Sequence, residues 1–264
     1  MSKGGPAIVV AALLLAAAGC GISGASHPTC TLPSAPFGAP ETVRLRVVDS
    51  GFTVVGPGPA TLSMGAVVSN SGARVAYRTR VAFMPVDVKG QNPVAADERR
   101  PLVLDVPVIL PGQEVAVGTS VPLGGPGPMD GPTGRVTRVA VTADATARLD
   151  ATAFQPIQAT LLSDRSNRAQ DGSTTVDYEV HSGYCDDLYS RGASVVFRDD
   201  AGHVLGGDLI NDTGGGCQTG TKLVQVQTAE KSVPQRADLN RTIVSTYCDV
   251  SRATPSGRTG APAN

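Results

Sequence analysis

Short runs that alternate apolar and polar residues, each closed by Gly, Pro, Asn or Asp, recur along most of this chain and commit it to β structure. In Val43-Arg44-Leu45-Arg46-Val47 apolar and charged residues take turns. Val176, Tyr178 and Val180 alternate with Asp177, Glu179 and His181. Ile243, Ser245 and Tyr247 alternate with Val244 and Thr246. Successive side chains on a strand point to opposite faces, so a period of two marks strands with one face in a core and one in water. A 3.6-residue period is hard to find anywhere in the chain. The expected class is therefore all-β, built from antiparallel sheets with almost no helix.

A faint internal repeat gives the organisation. Met64–Gly72 (MGAVVSNSG) is a strand ending in a polar turn, Val75–Phe83 a second strand, and Val86–Asn92 holds a turn around Lys89-Gly90. Thr174–Gly183 (TTVDYEVHSG) is again a strand ending in a polar turn. Gly192–Arg198 follows it, and Asp199-Asp200-Ala201-Gly202 turns into Val204–Ile210. A recurrence of about 110 residues matches two copies of an Ig-like sandwich. The expectation is two tandem antiparallel Ig-like β-sandwiches, residues 41–150 and 155–250, joined near Ala151–Pro156. The strand Val136–Thr142, continuing to Leu149, would close the first. With SNSG before the second strand, VVFRDDAGHVLG in the second half and ILPGQEVAV late in the first, the pattern resembles the FxLYD-like modules of actinobacterial-type cell-envelope lipoproteins. That resemblance implies an extracytoplasmic adhesion or interaction module rather than an activity.

The N-terminus supports that compartment. Lys3 is followed by an uninterrupted small and apolar run, Ala7–Ala18, and then by Gly19-Cys20. A run of this length is too short for a bilayer span of about 20 residues and has the form of a secretory signal. Ala17-Ala18-Gly19-Cys20 resembles the bacterial lipobox, in which cleavage precedes a lipidated cysteine, although Ala17 stands where Leu is usual. We therefore read residues 1–19 as signal and Cys20 as the lipid-bearing first residue, placing the protein on the extracytoplasmic face of the cell membrane. A diacylglyceryl group supplies the two chains that stable anchoring needs. Residues 20–40, rich in Ser, Pro, Gly and Ala, read as a tether, and 251–264 as a disordered tail.

Composition then removes function classes. Without Lys3 the chain carries 21 basic and 23 acidic residues, which leaves no charge footprint for nucleic acid or anionic lipid. Tryptophan is absent, which argues against a stacking platform for sugars or bases. The envelope partners left open are a protein, a wall polymer or a small ligand, with the membrane reached through the lipid alone. No cofactor is expected. In an exported chain Cys30, Cys185, Cys217 and Cys248 read as two disulfides. Strand direction favours Cys185–Cys217, leaving Cys30 for Cys248.

Residues with chemical potential are few. His181, Cys185, Asp186 and Asp187 form a metal-site palette within seven residues, against the plainer reading of a strand end, a disulfide and a turn. An extracytoplasmic enzyme or metal-binding protein using His181, Asp186 and Asp187 is the alternative to a non-enzymatic binding module. No G-x-S-x-G is present, and Gly214-Gly215-Gly216 lacks the Lys-Ser/Thr of a phosphate loop. The candidate binding loop is Tyr184, Asp186, Asp187, Tyr189 and Arg191, beside residues 214–220. Tyr and Arg are the residue types that most often anchor interfaces. Replacing Tyr184, Tyr189 and Arg191 together is expected to leave the melting temperature nearly unchanged. For the anchor the expected outcome is direct: a fatty-acid probe labels the wild type in cells and does not label Cys20→Ala. Equal labelling would refute lipidation at this residue.

Overall fold

The computed structural model describes residues 43–56, 60–123, 136–170, 172–211, 215–229 and 232–253. The signal 1–19, Cys20, Cys30, the rest of the 20–40 tether, and the tail beyond Ala253 lie outside the described residues.

The fold is all-β and antiparallel. The first half supplies β1 (Val43–Arg44), β2 (Arg46–Val55), β3 (Ala60–Ser69), β4 (Val75–Val86), β5 (Val103–Ile109), β6 (Glu114–Leu123) and β7 (Arg138–Leu149). The second supplies β8 (Ile157–Leu161), β9 (Asn167–Arg168), β10 (Thr174–Ser182), β11 (Leu188–Arg198), β12 (Val204–Ile210), β13 (Gly220–Gln227) and β14 (Asp238–Ala253). Helical structure among the described residues is limited to 3-10 turns at Ala96–Glu98, Arg100–Leu102 and Ala151–Ala153.

The sheets are β2-β3-β6 and β1-β7-β4-β5 in the first half, and β8-β10-β13 and β12-β11-β14 in the second, with β9 also paired to β10. Apart from β1 and β9 the two halves share one strand order. MGAVVSNSG ends the central strand β3, and TTVDYEVHSG covers its counterpart β10. Each half closes over its own core. Leu62, Met64, Val68, Val81, Phe83, Val106 and Val117 fill the first. Val176, Tyr178, Val180, Val195, Phe197, Val224 and Val226 fill the second. Each such side chain contributes about 1.5–3 kcal/mol by leaving water.

The SNSG turn has a physical job. Asn70 is fully buried. Its Nδ2 donates to the Arg74 and Ile109 carbonyls at 2.8 and 2.9 Å, and its Oδ1 accepts from Arg148 Nη1 at 2.8 Å. One side chain thus ties the β3–β4 turn to β5 and β7.

β3 is buried almost without interruption from Leu62 to Val68, because both of its faces are covered. One face meets the first core and the other meets the second half. The covering element is β12. Gly51, Gly65 and Gly118 stand side by side in the register of β2, β3 and β6. Together they form a trough across the strands. Backbone of β12 lies along it: Val204 against Gly51, Gly206 against Gly65, and Gly207 and Asp208 against Gly118. A Cβ at any of the three would collide with main chain, so only glycine permits this approach.

Hydroxyls complete the contact. β6 and β12 are edge strands of the two facing sheets. The Gly118 N–H donates to Ser194 Oγ at 2.6 Å, and the Ala116 N–H to Ser245 Oγ at 2.9 Å. The Ala116 carbonyl accepts from Tyr247 OH at 2.6 Å. In return the Gly207 N–H donates to Ser63 Oγ at 3.0 Å, and Thr53 Oγ1 donates to the Leu205 carbonyl at 2.7 Å. Main-chain groups that the trough buries therefore find partners from the opposite half. Tyr247 also joins the first half's core, and burial pushes its phenol pKa up. Asp208 is buried here as well. Burial raises its pKa, partly offset by hydrogen bonds from Ser120 Oγ at 2.8 Å and the Ala229 N–H at 3.1 Å.

The link between halves is packed. Asp150 Oδ1 accepts from the Thr152 N–H at 3.0 Å, and buried Phe154 lies 6.4 Å from the Tyr77 ring, centroid to centroid. Val75, Tyr77, Phe154, Tyr184, Leu188 and Val250 form a further cluster around the disulfide, on the face of β4 turned away from the first core.

That disulfide corrects the expected pairing: Cys217 is bonded to Cys248, so neither Cys185–Cys217 nor Cys30–Cys248 forms. Strand direction does bring Cys185 and Cys217 to one end, where the Leu188 N–H donates to the Cys217 carbonyl at 2.9 Å. However, β14 runs antiparallel to β11 with Cys248 opposite Ser190, which brings a third cysteine to the same end. Cys217 and Cys248 both point into the buried cluster, whereas Cys185 is exposed. Closing this 31-residue separation stabilises the fold by roughly 3–4 kcal/mol on chain entropy. Cys185 is also disulfide-bonded.

Two predictions follow from the trough. Gly65→Ala is expected to destabilise the protein by about 3 kcal/mol in denaturant unfolding, since backbone cannot move aside like a rotamer. Gly90→Ala, with open space around its Cβ and only a positive φ to strain it, is expected to cost about 1 kcal/mol. Equal effects would show the trough to be unimportant. For Asp208 the folded pKa lies above the unfolded one, so the folded state holds the proton more tightly and stability falls as pH rises through the folded value. The stability of wild type relative to Asp208→Asn is therefore expected to rise as pH is lowered from 7, levelling off near the ordinary value of 3.8. A flat or inverted difference would contradict the burial argument.

Candidate functional site

Stacking the halves leaves a cleft of about 340 Å³ between them. Residues 106–108 of β5 form one wall, with the turn into β6. Residues 157–160 of β8 form the other, and 244–248 of β14 run between them. β5, β8 and β14 are each the edge strand of a different sheet. Three strand margins that pair with no neighbouring strand therefore converge on one hollow. Pro107 sits on this margin of β5, a position where a missing N–H is tolerated.

Val106, Val108, Ile157, Val244 and Tyr184 contribute to the lining, but the surface it exposes is more polar than apolar, with amides from Gln113, Gln155 and Gln158. Among the described residues Glu114 is the single charged one in it. Thr246 Oγ1 is buried beside the cleft without a hydrogen-bond partner among the described residues. Among the described residues the lining contains no histidine, and its cysteine, Cys248, is held in the disulfide. General acid–base or nucleophilic catalysis needs a base within reach of a proton or nucleophile. The lining places the Glu114 carboxylate among aliphatic, amide and hydroxyl side chains, the last from Thr160, Tyr184, Ser245, Thr246 and Tyr247.

The residues singled out from the sequence are dispersed. Tyr184, a candidate binding-loop residue, is 6% exposed and belongs to the cluster with Tyr77 and Phe154, which runs against the expectation that its replacement leaves the melting temperature nearly unchanged. Replacing it removes buried area and lowers the melting temperature. Asp187 Oδ1 accepts from the Thr219 N–H at 2.8 Å, joining its loop to the loop before β13. Asp186 is exposed, and Tyr189 is 53% exposed. Arg191 Nη2 bridges to Asp249 Oδ2 at 2.6 Å beside a smaller hollow of about 190 Å³ that includes Arg78 and Asp105. Desolvation opposes the Asp249 charge, but hydrogen bonds from Ser251 and Arg191 outweigh it and lower the pKa.

His181, Asp186 and Asp187 do not come together. His181 Nδ1 lies 3.1 Å from Thr221 Oγ1 across the strand pair. Among the described residues no three His, Cys, Asp or Glu side chains are grouped so as to hold a metal ion. No helix among them is long and apolar enough to cross a membrane.

The cleft itself was not apparent from the sequence, since its walls lie about 50 and 90 residues apart along the chain. One local mark points to it: Pro107 inside VLDVPVI identifies β5 as an edge. No protein-family model matches the chain and no curated protein is found to be similar to it, so function rests on the geometry alone.

Proposed function

We propose that the protein is a lipid-anchored, non-enzymatic binding module on the extracytoplasmic face of the membrane, and that its cleft takes an extended polypeptide segment. The observation that carries this reading is the convergence of the unpaired margins of β5, β8 and β14 on one hollow. An extended chain entering there adds as a strand, gaining main-chain hydrogen bonds while its side chains meet walls that mix aliphatic and amide groups. The near absence of charge in the lining disfavours a polyanionic wall polymer, and the lack of aromatic platforms other than tyrosine disfavours a glycan. The apolar lip at Val108 and Leu110 and the amides of Gln155 and Gln158 suit a neutral peptide.

The test uses the mature protein and a panel of unstructured ten-residue synthetic peptides, read by amide hydrogen exchange. At least one neutral, apolar-alternating peptide is expected to protect β5, β8 and β14 together. The double variant Gln158→Arg/Thr160→Arg, two exposed positions on the wall, is expected to weaken that protection at least tenfold with an unchanged circular-dichroism spectrum. Absence of protection across the panel, or equal protection in the variant, would overturn the cleft as the site. Turnover of peptides or esters by rigorously purified protein would overturn the non-enzymatic reading.

A further inference from the structure

The smaller hollow of about 190 Å³ adjoins one end of the cleft, and Pro107 and Val250 line both. Along the cleft β14 runs from Val244 to Val250, about 20 Å of strand, so an extended segment of about six residues fills the cleft and ends at the hollow. The two differ in charge. Among the described residues the cleft lining takes its charge from Glu114 alone. The hollow is edged by Arg78 and Asp105 from the first half and by Arg191 and Asp249 from the second.

Three of those four charges already face an opposite one. Arg191 Nη2 lies 2.6 Å from Asp249 Oδ2. Asp105 stands opposite Arg80 in the β4–β5 register, a separation at which side-chain charges interact. Arg78 is exposed and has no ion pair among the described residues. Its Cζ lies 5.5 Å from the centroid of the Tyr77 ring, a contact that holds the cation without neutralising it.

The backbone sets Arg78 at this rim against its own preference. Among the described residues it is the one non-glycine with a positive φ, 48°, a region that costs an L-residue energy. On a regular strand Val75, Tyr77, Val81 and Phe83 would share a face. Instead Val75 and Tyr77 join the cluster around the disulfide, and Val81 and Phe83 join the first core. The alternation of β4 therefore reverses between Tyr77 and Val81, where Arg78 takes its positive φ. In the register Arg78 falls between the pairs Tyr77–Val108 and Thr79–Val106, which sets it opposite Pro107, the wall that cleft and hollow share.

We infer that the hollow is a carboxylate subsite at the end of the peptide cleft, with Arg78 as the cation that takes the charge. The inference rests on the cleft reading above and narrows its partner class: an otherwise neutral extended segment carrying a carboxylate at one end, from a free C-terminus or an acidic side chain. A guanidinium meets both oxygens of a carboxylate in a planar fork, which a compact ammonium does not.

The test titrates the mature protein calorimetrically with the same kind of ten-residue panel, N-acetylated and prepared in three forms. These are the free C-terminal acid, the C-terminal amide, and the amide with Asp as its last residue. At least one peptide is expected to bind at least tenfold more tightly in a carboxylate form than as the plain amide, and the form that gains separates a chain terminus from an acidic side chain. Arg78→Gln is expected to bring that form to within twofold of the amide. Arg78→Gly, which also relieves the positive φ, is expected to show the same loss with a melting temperature no lower than that of the wild type. Equal affinity of all three forms, or a preference that survives in both variants, would overturn the subsite and leave the cleft standing. Absence of binding by every form of every peptide would overturn the cleft reading and the subsite with it.

Discussion

The architecture depends on backbone meeting backbone at three glycines. Face-to-face sheets normally sit about 10 Å apart because interdigitating side chains fill the space between them. Gly51, Gly65 and Gly118 remove those side chains along one line, and β12, with Gly206 and Gly207, occupies the line. Two halves that each close a core become joined through their main chains. Such close contact leaves amides without water, and the small hydroxyls around it answer that need. Ser63, Ser194, Ser245 and Tyr247 each bond a main-chain group of the opposite half. A glycine row without those hydroxyls would bury unpaired donors at a cost of about 1–3 kcal/mol each.

The same contact disposes of two exposed strand edges. β6 and β12 would otherwise offer free N–H and C=O groups to any passing chain, and here each edge is capped by the other half. Asp208 shows how far the region is dried. The residue is 6% exposed and its carboxylate is held by Ser120 and Ala229. A group whose charged form is disfavoured by burial is tolerated only where the surrounding contact is worth more than that penalty.

Much of the fold was legible along the chain, for reasons that are local. The period of two in residues 174–182 describes a strand between a core and water, and β10 is such a strand, with Val176, Tyr178 and Val180 fully buried. The repeat was legible because both halves place the same turn at the end of a central strand. What could not be read was anything depending on contact between halves. Gly65 and Gly118 lie in strands whose neighbours are apolar, and glycine there is indistinguishable from turn punctuation until the register aligns three of them. Tyr184 looked like an interface residue because its loop is polar, and it is buried because a loop from one half lies over β4 of the other. The disulfide misled for a related reason: strand direction located the correct end of the sandwich, but burial decided which two of the three cysteines there would meet.

The edges that the trough leaves uncapped bear on function. β5, β8 and β14 are margins of three different sheets, and the packing that covers β6 and β12 recesses these three within one cleft. An edge on an open surface pairs readily with the edge of another folded sheet, which is the route to aggregation. Recessed between two walls, an edge is out of reach of a folded sheet but remains open to a single extended strand. Pro107 adds to this selectivity by removing a donor from β5, leaving the β8 and β14 margins to carry the pairing. A site with these properties discriminates by the conformation of its partner before it discriminates by sequence. On our reading, such a site therefore meets chains that are already extended and ignores the folded proteins around it.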